Sequence, residues 1–312
     1  MTLLLSISAG GGWAQGYPAK PIRYVVPSSP GGGNDTMARV FAEALAETLG
    51  LTVIVENRAG AAGNIAAELV AKSASDGYTI LQLSQALVVN VNLYRNLPFD
   101  LVRDFAAVTM LSIEPYMVAV HPSLPVKSIN DLILLAKARP GALNYPSAGA
   151  GTTSFLSAEL FKSMAGVNIV HVPYKGGGPA LISVVSGETS IYFAPIPPTL
   201  PHIQQGRLRS IAVATSKRLP AMPDMPTVSE SVAGYESANW YGLLVPAKTP
   251  KSVIATLHQA SVMVMSKPSV NKRLVDIGYV PSTSQPDSFA VYIRDKIDSL
   301  AKILQQTGAI AN

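Results

Sequence analysis

Three times along this chain an apolar, β-branched run gives way to a glycine-containing loop and then to apolar residues at helical spacing. The first case is Ile22 to Val26, then Pro27-Ser28-Ser29-Pro30-Gly31-Gly32-Gly33-Asn34-Asp35-Thr36, then Met37, Val40, Phe41, Ala44 and Leu45. The second is Thr52 to Glu56, then a loop from Asn57 to Asn64 containing Gly60 and Gly63, then Ile65, Leu69 and Val70. The third is Leu143-Asn144-Tyr145, then Ser147-Ala148-Gly149-Ala150-Gly151-Thr152-Thr153-Ser154, then Leu156, Leu160 and Phe161. This order predicts strand, loop and helix in right-handed βαβ units, hence an α/β fold built on parallel strands. Glycines leave room for backbone amides to point at an anion beside a helix N-terminus. Ligands of open α/β sheets sit outside the carboxyl ends of the strands, so three such loops predict one shared crevice. One glycine loop alone is as readily a tight connection; the repetition carries the expectation.

The chemistry that would make the crevice a catalytic centre lacks its usual signatures. No cysteine is present, which excludes disulfides, thiolate catalysis and Cys-ligated zinc. The histidines, His121, His171, His202 and His258, form no metal spacing with one another. There is no Gly-x-Ser-x-Gly elbow and no P-loop, and Ser154 stands where a dinucleotide fingerprint would need its third glycine. No cofactor is therefore expected. The formal charge of +5 comes from basic residues scattered along the chain, without the clustering a nucleic-acid groove needs, and a hydrophobic content of 48% excludes disorder.

At 312 residues, two domains are the natural expectation. Residues 1–16 read as a signal-peptide remnant, with Leu3-Leu4-Leu5-Ser6-Ile7 as apolar core and Trp13-Ala14-Gln15 as cleavage region. No positive residue follows Met1, so either the start lies upstream or the segment is incomplete. Downstream, strands are expected at Tyr78 to Leu81, Val108 to Met110, Tyr116 to Val120, Ile169 to Pro173 (buried), Ser190 to Ala194, Ser210 to Ala214 and Trp240 to Pro246. Residues 220–239, rich in proline and serine, read as a connecting arm. The clearest helix is the last, with Ser284 as cap, Pro286 in the first turn and Phe289, Ile293, Ile297, Leu300 and Leu304 on one face.

Several separated motifs, in order, carry a resemblance. Pro30-Gly31-Gly32 with Asp35, Glu56-Asn57-Arg58 with Gly60, Gly63 and Asn64, Asp76-Gly77-Tyr78, Gly149 with Gly151-Thr152-Thr153-Ser154, and Val172-Pro173-Tyr174-Lys175-Gly176 together resemble the Bug proteins, the extracytoplasmic receptors of tripartite tricarboxylate transporters. The resemblance implies a two-lobed type II periplasmic-binding-protein fold, each lobe a mainly parallel sheet flanked by helices, with the ligand cleft between. One domain would comprise residues 17–120 and 238–312, the other residues 121–237, with hinges near His121 and Ser237. It implies a periplasmic protein that binds a small organic carboxylate without chemistry, acts as a monomer and delivers its ligand to membrane permease subunits. An enzyme working on a carboxylate in the same cleft, or a sensor subunit, remain the alternatives at this stage. Carried over by position, the ligand-binding residues are Ser28, Ser29, Gly31, Gly32, Asn34, Gly60 and Gly63 in one lobe, and Ser147, Gly151, Thr152, Thr153, Ser154, Tyr174 and Ala194 in the other. The chain departs from the family at Ser28 (usually aromatic), Phe155 (usually His) and Ala194 (commonly Asp), and the missing Asp, a frequent partner of ligand polar groups in the family, argues against an amino-acid-like ligand. Loops at both ends imply a ligand with acceptors at both ends, and Phe155 with Ala194 implies an apolar middle.

Overall fold

The first strand shows why its sequence is apolar but for one residue, Arg23. In β1 (Ile22–Val26), Ile22, Tyr24 and Val26 enter one core while Val25 enters another on the opposite face, so both faces meet buried clusters and only Arg23 reaches solvent. The computed structural model describes residues 16–94 and 96–307; all but the last residue of the expected export segment lie outside them. After β1 come α1 (Gly33–Leu49), β2 (Val53–Asn57), α2 (Asn64–Ala71), β3 (Thr79–Ser84), α3 (Gln85–Leu93) and β4 (Phe105–Val120). Then follow α4 (Ile129–Ala138), β5 (Asn144–Ser147), α5 (Thr153–Ala165), β6 (Val170–Pro173), α6 (Gly177–Val185), β7 (Ile191–Pro195), α7 (Ile196–Gln204) and β8 (Arg209–Val213). The chain ends with β9 (Ala238–Pro246), α8 (Lys251–Ser266), α9 (Pro268–Asp276), β10 (Val280–Pro281) and α10 (Pro286–Thr307).

β1 is parallel to β2 and β3, as the βαβ reading expects. The sheet is nonetheless mixed rather than mainly parallel, because β9, arriving from far along the chain, inserts antiparallel between β3 and β4. Helices α1, α8 and α9 cover one face and α2, α3 and α10 the other, each closing a separate buried cluster.

The regions expected as two strands, Val108 to Met110 and Tyr116 to Val120, are one strand of 16 residues, β4, which changes partners midway. Up to Pro115 it pairs with β9, and from Tyr116 it pairs with β7 on one side and β8 on the other. Pro115 has no N–H to donate, and it stands where one ladder ends and the next begins. Beyond it the side chains again alternate: Val118 and Val120 enter a cluster with α4 and α5, whereas Met117 and Ala119 enter one with α6 and Ile196 of α7. β5 and β6 form a separate parallel pair. β6 is partly solvated rather than buried, with Val170 45% exposed. The chain returns to the first sheet where Ser237 donates its amide to Ala214 and β9 begins. The expected arm at 220–239 is mostly turns, held by a capping box in which Thr227 and Glu230 each accept the other's backbone N–H.

Candidate functional site

Six helices begin on the wall of a single cavity of about 230 Å³. Gly33 and Asn34 open α1, Gly63 precedes α2, Ser84 precedes α3, Thr152 precedes α5, Gly176 precedes α6 and Pro195 precedes α7, and all of these residues line the cavity. None of the six has a side-chain cap on its N-terminal amides. Helix starts leave up to four N–H groups without an intrahelical partner and carry the positive end of the helix dipole. Uncapped, the amides that these starts retain border a shared space suited to an anion, although Pro179 of α6 and Pro197 and Pro198 of α7 have no N–H to contribute.

The loop before α1 is held by a buried carboxylate. Asp35 Oδ2 accepts the Gly31 amide at 3.0 Å and Arg39 Nε at 2.9 Å, while Oδ1 accepts from Asn57 Nδ2 at 3.0 Å. Burial works against its ionisation, yet Arg39, Gly31 and Asn57 together hold it below the usual carboxylate range. Asn57 Nδ2 also donates to the Ser28 carbonyl, so the second strand–loop junction braces the first loop. Arg58, at the start of the second loop, pairs with Glu56. Between Gly60 and Gly63 the chain turns through Ala61 and Ala62, both at positive φ (46° and 50°), a conformation that costs about 1–2 kcal/mol per non-glycine residue. Asn90 Nδ2 donates to the Ala62 carbonyl and helps hold this turn against the cavity.

The third loop is tied to itself. The Ala148 amide donates to Ser154 Oγ at 3.1 Å, the Gly149 amide donates to Ser147 Oγ at 3.1 Å, and Thr152 Oγ1 donates to the Gly149 carbonyl at 2.6 Å. The hydroxyls of this loop thus shape the turn and give α5 no side-chain cap. Ser147 Oγ also lies 2.6 Å from His171 Nε2.

Across the cavity mouth the first loop meets a fourth, residues 176–178. A Cβ built on Gly32 would lie 3.3 Å from Gly177 Cα, and one on Gly178 would overlap the Pro30 carbonyl oxygen. Backbone packs on backbone here, a separation that only glycine permits.

Of the residues expected at the site, Ser28, Gly32, Asn34, Gly60, Gly63, Thr152, Thr153, Ser154 and Tyr174 line the cavity. Ser29 is instead packed against Gly176, and Gly31 faces Gly178. Ser147 stands behind its loop on His171, and Gly151 abuts Leu93. Ala194 is buried in the cluster around α6, and Phe155 packs on His171, so neither supplies the apolar middle expected of them. Tyr174 directs its hydroxyl to Glu188.

The cavity's floor escaped the sequence reading. Glu114 and Tyr116 of β4, Asn239 and Tyr241 of β9 and Tyr192 of β7 form it, at the point where β4 exchanges partners. Glu114 Oε2 accepts from Asn239 Nδ2 at 3.0 Å and from the Tyr241 hydroxyl, whereas Oε1 has no partner. Burial, against the pull of Tyr241 and Asn239, raises this carboxyl to about 7. The readable signal was a lone acid in the apolar stretch Met110 to Val120.

Comparison with known proteins agrees with this geometry. Protein BugT of Bordetella pertussis is 34% identical over 299 residues, covering 95% of this chain and 92% of BugT. A structure of Rhodopseudomonas palustris MatC with bound malate superposes with a TM-score of 0.85 at 28% identity, covering 92% of this chain and 100% of that one. R. palustris Rpa4515 with adipate superposes with a TM-score of 0.91 at 35% identity, covering 94% of this chain and 98% of that one. The fold is that of the two-lobed periplasmic binding proteins. The model of the tripartite tricarboxylate transporter family receptor matches residues 37–309, and the chain belongs to that family.

Proposed function

We propose that this protein is an extracytoplasmic receptor that captures a small organic carboxylate between two lobes, residues 17–120 with 238–312 and residues 121–237, and hands it to membrane permease subunits. The observation that carries the reading is the convergence of six uncapped helix N-termini on one cavity. Amides from α1 and α2 at one end and from α5 and α6 at the other suit a ligand with acceptors at both ends, such as a dicarboxylate. Charge-assisted hydrogen bonds contribute about 1.5–3 kcal/mol each. A handful of them therefore reaches the roughly 8 kcal/mol of micromolar binding after association costs. The adipate and malate bound by the two similar R. palustris proteins support the class of ligand. Among the described residues no helix is long and apolar enough to cross a membrane.

A thermal-shift screen of mono-, di- and tricarboxylates tests this. An acid at 100 times its Kd stabilises the fold by about 2.7 kcal/mol, a visible rise in Tm. A dicarboxylate that shifts Tm and is recovered unchanged supports a receptor. Turnover of the acid supports an enzyme in the same cleft, and no shift with any acid refutes the proposal.

A further inference from the structure

Glu114 is fully buried, has no cationic partner among the described residues, and stands on the floor of the cavity just described. Its two oxygens differ. Oε2 takes both available donors, Asn239 Nδ2 and the Tyr241 hydroxyl, leaving Oε1 without a hydrogen bond. Oε1 lies against the α carbon of Gly33, the first residue of α1, in space that any side chain at that position would fill. A buried polar atom left unpaired at the wall of a cavity is costly unless the cavity's occupant completes it. The site as a whole is arranged for an anion, so an ionised Glu114 beside that anion would set two negative charges together in a poorly solvated space. A proton on Oε1 removes that repulsion and turns the unpaired acceptor into a donor.

We propose that Glu114 is a proton-carrying residue of the ligand site, and that the receptor takes up its organic anion together with one proton from solvent, held on Glu114 Oε1. The proton returns to solvent when the anion leaves, so charge and atoms balance over the cycle. This rests on the receptor reading given above and adds to it a second, coupled species.

The surroundings leave Glu114 as the group that titrates. From its own strand it faces Tyr116, from β7 Tyr192, from β9 Tyr241 and Asn239, from α1 Gly33, and from the segment entering β10 Tyr279. Burial pushes each of these phenols upward, so all stay neutral through the physiological range. Lys175 lines the same cavity but forms no ion pair with Glu114. The place of Glu114 has a mechanical side as well. Its hydrogen bond to Asn239 joins the two strands, β4 and β9, along which the chain passes between its lobes, so its protonation state is set where those strands lie side by side.

The test is calorimetric titration with adipate, and with malate should adipate not bind, between about pH 6.5 and 8 in phosphate and in imidazole, whose ionisation enthalpies differ. Above about pH 6.5 both carboxyls of the probe are ionised, so there the probe contributes little proton exchange. The wild-type protein should take up a proton on binding, approaching one per ligand above pH 7, and its affinity should fall by up to about tenfold per pH unit there. Glu114→Gln should abolish both the uptake and the slope. Tyr241→Phe, which removes one donor from Oε2 and so favours the protonated form, should move the onset of the fall to higher pH. A wild-type affinity that is flat with pH and free of proton uptake overturns the inference while leaving the receptor reading intact. The same uptake in Glu114→Gln as in wild type also overturns it. Binding of neither acid at any pH overturns the inference, whereas the receptor reading falls only when the wider screen of acids fails too.

Discussion

Replacing Gly178 by alanine isolates closure of the cavity mouth from stability of the fold. Gly178 is the second residue of α6 and carries no positive φ, so alanine there is at least as good a helix former as glycine. The added methyl meets the backbone of the facing loop: it overlaps the Pro30 carbonyl oxygen, with the Pro30 carbonyl carbon 3.4 Å away and the Gly31 carbonyl carbon 3.7 Å away. Backbone cannot rotate aside as a flexible side chain would, so loops 30–33 and 176–178 must separate. Forced insertion of a methyl into such a contact costs about 1–3 kcal/mol. If the ligand is held by amides from both loops and the ligand-free protein opens between them, the whole of that cost falls on the bound, closed state. The expected outcome is a dicarboxylate Kd raised about 5- to 150-fold, with the Tm of the ligand-free protein unchanged or slightly higher. Titration calorimetry beside a ligand-free thermal melt reads both quantities. An unchanged Kd would show that the two glycine loops do not close on the ligand. A ligand-free Tm that falls in parallel with affinity would show that the contact stabilises the fold in general.

Three further outcomes follow from particular residues. Glu114, raised in the fold to about 7 from an ordinary 4.5, contributes stability that is fully present below about pH 4.5 and is lost as pH rises through 7. Denaturant melts should show wild type losing about 3 kcal/mol relative to Glu114→Gln across that window, and parallel curves would contradict the assigned burial. Ser154→Ala frees the Ala148 amide and loosens the turn before α5; a stability loss of about 1 kcal/mol with weaker ligand binding is expected, and unchanged binding would place that turn outside the site. Ala62→Gly relieves a left-handed residue and should raise ligand-free stability by about 1 kcal/mol, whereas a fall in Tm would mean that the methyl packs usefully.

What could be read from the sequence was whatever a run of neighbours encodes. The loops after β1, β2 and β5 with their helices, and the last helix from Pro286, are local patterns, and the structure has them where the pattern puts them. The long strand β4 was legible only as two pieces because its alternation breaks at Glu114 and Pro115, the point where its partners change. The insertion of β9 between β3 and β4, which makes the sheet mixed, pairs residues more than a hundred positions apart and leaves no local trace. The same distance hid the cavity floor, since Glu114, Asn239 and Tyr192 come from strands joined only by tertiary pairing. Helix α9 was passed over because, despite Val270 and Leu274 facing the core, its sequence is mostly polar. Where the reading failed locally, at Phe155 and Ala194, a helix or strand position was taken to face the crevice when its side chain packs inward.

The central claim is that this cavity recognises negative charge through helix amides. The direct measurement is titration of the protein with adipate and with its uncharged dimethyl ester, which keeps the chain length and the carbonyl acceptors but removes both charges. The account predicts measurable binding of adipate and an ester at least about 100-fold weaker, a difference of about 2.7 kcal/mol spread over two charge-assisted contacts. Equal affinity for acid and ester would contradict it.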